Sequence, residues 1–271
     1  MNGAAKGSIN GIPIRTYGKK PYRIAVIHGG PGAPGEMRPV AKVLSRSYGV
    51  LEPIQTADSI DGQVEELRNL LETYTTLPIT LIGYSWGAFL SYLFAAQNPA
   101  SVKKLILVSS GPFKDSFVTM MNKRRTSRLT KREQLHIAKL FELLRTGTYE
   151  EKMKNFEELA HIFTTIEAYR PLPSNNEVIT YQPDIFLHVM NEVDNLRSTG
   201  KLLSFGKRIC CPVVAIHGDY DSHPAQGVNI PLSEVIEDFR FILLPFCDHT
   251  PWNEHHAKDE FYEILWAELK E

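Results

Sequence analysis

The sequence predicts an α/β fold, with a mostly parallel central sheet flanked by helices and one α-helical insertion. Three observations lead there. Short apolar runs bounded by glycine or proline alternate with amphipathic segments through the first 111 residues. That alternation stops over residues 112–207, where helical periodicity persists without strand-like runs. It resumes at residue 212 and continues into a last amphipathic stretch. Strands and helices in this rhythm imply right-handed crossovers and parallel pairing.

The elements follow in order. Residues 23–28 (RIAVIH) form an apolar run before a glycine cluster, the mark of a buried strand. Residues 36–48 place Met37, Val40, Val43 and Leu44 at helical spacing, and residues 49–54 are a second strand. Residues 61–74 put Val64, Leu67, Leu70 and Leu71 on one helical face. Residues 78–83 (PITLIG) are a strand, and residues 88–97 are a helix stopped by Asn98-Pro99. Residues 102–109 (VKKLILVS) close the first half as a strand. After the insertion, residues 212–217 (PVVAIH) and 239–245 (FRFILLP) are strands, and residues 256–269 are a helix. Residues 1–111 and 208–271 therefore form one core domain, and residues 112–207 a helical cap inserted into it.

Composition narrows the function classes. A chain of 271 residues suits one domain with an insertion, given roughly 100–200 residues per domain. A net charge of -1 offers no field for nucleic acid or an anionic membrane. No segment has the apolar length of a transmembrane helix or a signal peptide. The cysteines at 210, 211 and 247 match neither a disulfide framework nor a zinc site, so a cytoplasmic location and no metal are expected. Lys123-Arg124-Arg125, Arg128 and Lys131-Arg132 form a basic run without interleaved aromatics, which reads as solvated surface. Met120-Met121, Phe141, Leu143-Leu144, Phe156 and Phe163 read as packing between insertion and core, with the lining of a substrate pocket as the alternative.

Four loops carry chemistry. Gly83-Tyr84-Ser85-Trp86-Gly87 lies between a strand and a helix, the context of a nucleophile turn that lifts a serine hydroxyl clear of the sheet. His28-Gly29-Gly30-Pro31-Gly32 can neither extend a strand nor start a helix, so it leaves N–H groups exposed. Gly30 and Trp86 are the candidate donors to an oxyanion, and His28 shapes the loop rather than titrating. His217-Gly218-Asp219-Tyr220-Asp221 follows a strand with two possible acids, of which Asp221, further into the loop, is preferred to Asp219. Cys247-Asp248-His249-Thr250-Pro251-Trp252 follows the last strand and offers His249 as base. The chain order Ser85, Asp221, His249 is the order described for this type of fold.

With these motifs in place, the chain resembles α/β-hydrolases of the proline iminopeptidase-like type. HGGPG at 28–32, GYSWG at 83–87, GDYD at 218–221 and DHTPW at 248–252 carry the resemblance, from about residue 23 to the end. It implies an α/β-hydrolase fold with a helical cap, a Ser85-His249-Asp221 triad, an oxyanion hole at Gly30 and Trp86, and hydrolysis without a cofactor. The acid of that family sits at G-x-x-D, which supports Asp221. The implied substrate is a short peptide or amino-acid amide whose amine is held by cap carboxylates, for which Glu177 and Glu192 are candidates. The same loops occur in relatives acting on esters, so a small acyl ester is the alternative substrate. A ligand-binding protein on the same fold is a further alternative. Relatives with an aspartate nucleophile, such as dehalogenases and epoxide hydrolases, are set aside because the turn carries serine.

Overall fold

A computed structural model describes residues 5–9, 11–173 and 179–270. Eight strands form one sheet: β1 (Ala5–Ile9), β2 (Ile12–Tyr17), β3 (Tyr22–Ile27), β4 (Gly49–Pro53), β5 (Ile79–Tyr84), β6 (Val102–Val108), β7 (Val213–Gly218) and β8 (Phe239–Leu244). Their order is β1-β2-β4-β3-β5-β6-β7-β8. The six strands from β3 to β8 pair in parallel. The first two form an antiparallel hairpin whose second strand also runs antiparallel to β4. This hairpin is absent from the sequence reading, because its glycines, proline and polar residues interrupt any apolar run.

The core lies on both faces, as period-two alternation along buried strands requires. Ala25, Ile27, Leu81, Leu105, Leu107 and Ala215 pack under α2 (Ile60–Tyr74) and α3 (Trp86–Gln97). Ile24, Val26, Ile82, Ile106, Val108 and Ile216 pack under α1 (Arg38–Leu44) and α10 (Lys258–Lys270). Strand α-carbons facing opposite ways thus belong to different layers, giving a helix–sheet–helix sandwich. The short helix α9 (Gln226–Ser233) covers the sheet between β7 and β8.

Between β6 and β7 lie α4 (Val118–Ser127), α5 (Lys131–Thr146), α6 (Tyr149–Ile166), α7 (Pro183–Ser198) and the single turn α8 (Lys201–Ser204). Reciprocal caps start α5 and α6, pairing Thr130 with Glu133 and Thr148 with Glu151. Leu140, Leu144, Phe156 and Leu159 are buried together with Ala33 of the loop after β3, with Phe141 and Phe163 packed beside them. Backbone bonds stitch the α6–α7 connection to the core. Ile179 N–H donates to Pro34 O at 2.9 Å, Gln182 N–H to Gly32 O at 2.7 Å and Leu172 N–H to Asn253 O at 2.8 Å. The buried Glu254 carboxylate accepts from the N–H groups of Tyr169 and Arg170, each at 2.7 Å. Among the described residues no helix is long and apolar enough to cross a membrane.

Candidate functional site

The C-terminal ends of β3, β5, β7 and β8 feed four loops that meet at one place. Ser85 joins β5 to α3 with φ 52° and ψ -113°, a conformation L-residues rarely adopt. Its neighbours explain how the turn is held. A Cβ on Gly87 would stand 2.2 Å from Ile27 O, and one on Gly83 would stand 2.1 Å from Gly87 O. Only bare backbone fits at both positions, so α3 packs directly on β3 and β5 and Ser85 is left partly exposed.

His249 reaches that serine. Its Nε2 lies 3.1 Å from Ser85 Oγ, and its Nδ1 lies 2.9 Å from Asp221 Oδ2. Asp221 is fully buried and His249 is 6% exposed, so water hardly competes for these bonds. The carboxylate fixes the proton on Nδ1, leaving Nε2 to accept from the serine hydroxyl. Asp219, the other sequence candidate, is exposed and uses Oδ1 to accept from Cys247 N–H at 3.2 Å. The structure therefore brings Asp221, not Asp219, to His249. A hydroxyl, an imidazole and a buried carboxylate in this chain can move a proton off a serine as it attacks a carbonyl.

The loop after β3 stands beside them. Gly30 has φ 37°, and its carbonyl accepts from Ala33 N–H at 2.8 Å. Trp86 opens α3, so its N–H has no helical acceptor one turn back. Its indole N–H donates to Gln63 Oε1 at 2.9 Å, which fixes the residue. Glu36 accepts from Gly29 N–H at 3.1 Å and so pins the loop. His28 is buried, donates from Nδ1 to Gly29 O at 2.7 Å, and burial lowers its pKa to about 4, which keeps it neutral.

Charge around the site is unevenly compensated. Burial opposes a charge on His249, but Asp221, with help from Glu167 and Asp248, raises its pKa to about 9. Burial likewise opposes ionisation of Asp221, and the three imidazoles of His249, His223 and His217 outweigh it, holding the carboxyl well below its usual range. Burial, aided by the charge of Asp221, raises Asp248 to about 7 against the pull of Arg128. Burial also raises Glu36 to about 7, against the pull of His249 and of the Gly29 N–H.

Several participants carry no local signal in the sequence. His223 Nδ1 lies 2.9 Å from Asp221 Oδ1, and its ring stacks on His249 with centroids 4.4 Å apart. Glu167, after α6, accepts from Arg125 Nε and Ser222 Oγ, each at 2.7 Å. The basic run expected to be solvated is in part a clamp. Arg124 donates to Asp221 O at 2.9 Å, Arg125 contacts Glu167 and His223, and Arg128 pairs with Asp248 at 2.8 Å and donates to Tyr220 O. Arg124 and Arg125 lie in the last turn of α4 and Arg128 is its C-cap, and all three reach the loops bearing the acid and the base.

The candidate cap carboxylates are not both brought to the site. Glu192 accepts from Ile60 N–H at 2.7 Å and so caps α2. Glu177 lies outside the described residues. Asp221, His223 and His249 are close enough to hold a metal ion in principle. Both Nδ1 atoms already face the oxygens of the one carboxylate, however, and a cation there would displace those bonds.

A model of the family described as alpha/beta hydrolase fold matches residues 22–222. The chain belongs to the alpha/beta hydrolase family. It is 21% identical over 247 residues to epoxide hydrolase 4 of Mus musculus, covering 87% of this chain and 66% of that protein. The crystal structure of VinJ has a TM-score of 0.68 at 18% identity, over 99% of this chain and 98% of that one. A thioesterase domain from the curacin biosynthetic pathway has a TM-score of 0.63 at 16% identity, with all of both chains covered. At such identities the solved structures share the fold with this alpha/beta hydrolase.

Proposed function

We propose that this alpha/beta hydrolase is a serine hydrolase acting through an acyl-Ser85 intermediate. The observation that carries the reading is the unbroken chain from Ser85 Oγ to His249 Nε2 at 3.1 Å and from His249 Nδ1 to Asp221 Oδ2 at 2.9 Å. Ser85 attacks the substrate carbonyl while His249 takes its proton, and Asp221 stabilises the imidazolium. The N–H groups of Gly30 and Trp86 receive the developing oxyanion. His249 returns the proton to the leaving group, and water then releases the acyl group by the same steps in reverse. Residues 112–207 act as the cap over this site. The similarity to an epoxide hydrolase does not extend to an aspartate nucleophile, since position 85 is serine.

The substrate is a small peptide or amino-acid amide, as in the proline iminopeptidase-like type. Glu36 supports this, because its half-buried carboxylate stands against the Gly29-Gly30 loop, where a substrate ammonium would stabilise its charge. A small acyl ester is the second reading. It is favoured by the engagement of the other nearby carboxylates, with Glu167 held by Arg125, Asp248 by Arg128, and Glu192 by the start of α2. A panel of proline and alanine 4-nitroanilides and short 4-nitrophenyl esters separates the two. Turnover of the amides supports the peptidase reading; ester turnover with inert amides overturns it. Folded protein that a fluorophosphonate leaves unmodified at Ser85 would instead make the chain a binding protein on this fold.

A further inference from the structure

The carboxylate proposed as the acid serves two imidazoles. Asp221 Oδ2 faces His249 Nδ1 at 2.9 Å, and Oδ1 faces His223 Nδ1 at 2.9 Å while accepting from His223 N–H at 2.8 Å. His223 is 7% exposed, and its ring lies on His249 at an interplanar angle of 23°. Its other nitrogen, Nε2, lies 2.8 Å from a guanidinium nitrogen of Arg125. Arginine only donates, so Nε2 can only accept, and the single ring proton must stand on Nδ1. That tautomer is the one able to donate to Asp221. Arg125 is itself fixed from behind, with Nε donating to Glu167 at 2.7 Å and its guanidinium 5.1 Å over the Phe163 ring.

We propose that His223 and Arg125 are positioning residues: Arg125, from α4, holds His223 in the tautomer that locks Asp221, so the insertion helps aim His249 at Ser85. The proposal rests on the serine hydrolase reading of that site. A carboxylate bonded on one oxygen alone can rotate about its Cβ–Cγ bond. With Oδ1 tied twice by His223, Oδ2 stays on the Nδ1 side of His249. A neutral His223 also leaves the imidazolium formed in turnover stacked on an uncharged ring, where a second cation would repel it. The charged and titratable groups around His223 fit this neutrality. Asp221 and His217 face it from the β7 end, Arg125 from α4, Glu167 from beyond α6, and His249 from the loop after β8. Burial comes first among the causes lowering its pKa to about 4, with Arg125 adding to it against Asp221.

The test needs no knowledge of the natural substrate. A fluorophosphonate probe gives a maximal labelling rate, kinact, and a half-saturating concentration, KI, for Ser85. His223→Ala lowers kinact about 10- to 100-fold with KI nearly unchanged, the loss expected when reacting groups are misaligned. His223→Asn places an amide N–H where Nδ1 stood and recovers most of that loss. Equal impairment of both variants, or kinact within about threefold of wild type in His223→Ala, overturns the proposal. Histidine 15N NMR of the wild-type protein reads the same assignment without catalysis. His223 is expected to carry its proton on Nδ1 and stay neutral through pH 5, and in Arg125→Met it titrates closer to the ordinary value of about 6.5. A wild-type His223 protonated on Nε2, or titrating near that ordinary value, overturns it as well. Unlabelled Ser85 in wild-type protein would instead sink the hydrolase reading, while the NMR outcome still judges the tautomer.

Discussion

Asp221→Asn offers a sharp quantitative test, because the surrounding donors dictate how the amide must sit. Oδ1 accepts two N–H groups, the backbone of His223 at 2.8 Å and its Nδ1 at 2.9 Å. Oδ2 accepts one, from His249 Nδ1 at 2.9 Å. An asparagine has a single acceptor oxygen. Placing its NH2 on the Oδ1 side would face a backbone N–H that cannot change, besides setting His223 against Arg125. The oxygen therefore stays with His223, and the NH2 turns to His249. The imidazole must then accept at Nδ1 and carry its proton on Nε2, which points at Ser85 Oγ and can no longer take the serine proton. Trapping the wrong tautomer lowers the rate about 10⁴-fold in serine proteases with a Ser-His-Asp triad, equivalent to about 5 kcal/mol of barrier. The assay is the second-order rate of fluorophosphonate labelling at pH 8, with a thermal melt to show that the variant is folded. A folded Asp221→Asn protein that labels within about tenfold of wild type would refute the reasoning.

Three more outcomes follow from the geometry. His249 must be neutral to act as base, and its pKa is raised to about 9, so the labelling rate should climb with pH through that value; a limb centred at or below the ordinary imidazole value of about 6.5 contradicts this. Glu167 has a folded pKa lowered from 4.5 to about 2, so it stabilises the fold fully above 4.5 and loses that contribution as pH falls through 2. Urea titrations should show wild type losing roughly 3 kcal/mol more than Glu167→Gln across that window, and parallel curves would contradict it. Arg128→Ala strips the buried Asp248 of its partner and should cost about 3 kcal/mol in the same assay at pH 8; an unchanged midpoint would show that the clamp is idle.

The sequence exposed the parallel half of the sheet because buried strands are written as uninterrupted apolar runs. PITLIG, PVVAIH and FRFILLP each end at a loop that carries one candidate residue, which is why Ser85, Asp221 and His249 could be picked out together. The β1–β2 hairpin escaped because an edge pair with solvent on it needs no such run, and its Gly11 turn looks like any loop. The larger omission was electrostatic. Arg124, Arg125 and Arg128 read as a wet helix face because helical spacing does not reveal what the face meets, and here it meets the loops bearing Asp221 and His249. Glu192 fails for the converse reason. A carboxylate expected to hold a substrate amine serves the N–H of Ile60, a backbone group more than a hundred residues away in sequence. Glu36, Glu167 and His223 act through contacts made only when separate loops converge.

The proposed role of Ser85 requires one covalent bond to the acyl group. Acid-quenched intact-protein mass spectrometry after brief exposure to 4-nitrophenyl acetate tests it directly, with peptide mapping to find the site. One acetyl group on Ser85, decaying at the turnover rate and absent from Ser85→Ala, is the predicted result. Hydrolysis that continues in Ser85→Ala, or an acetyl group lodged stably on another residue, would contradict the assignment.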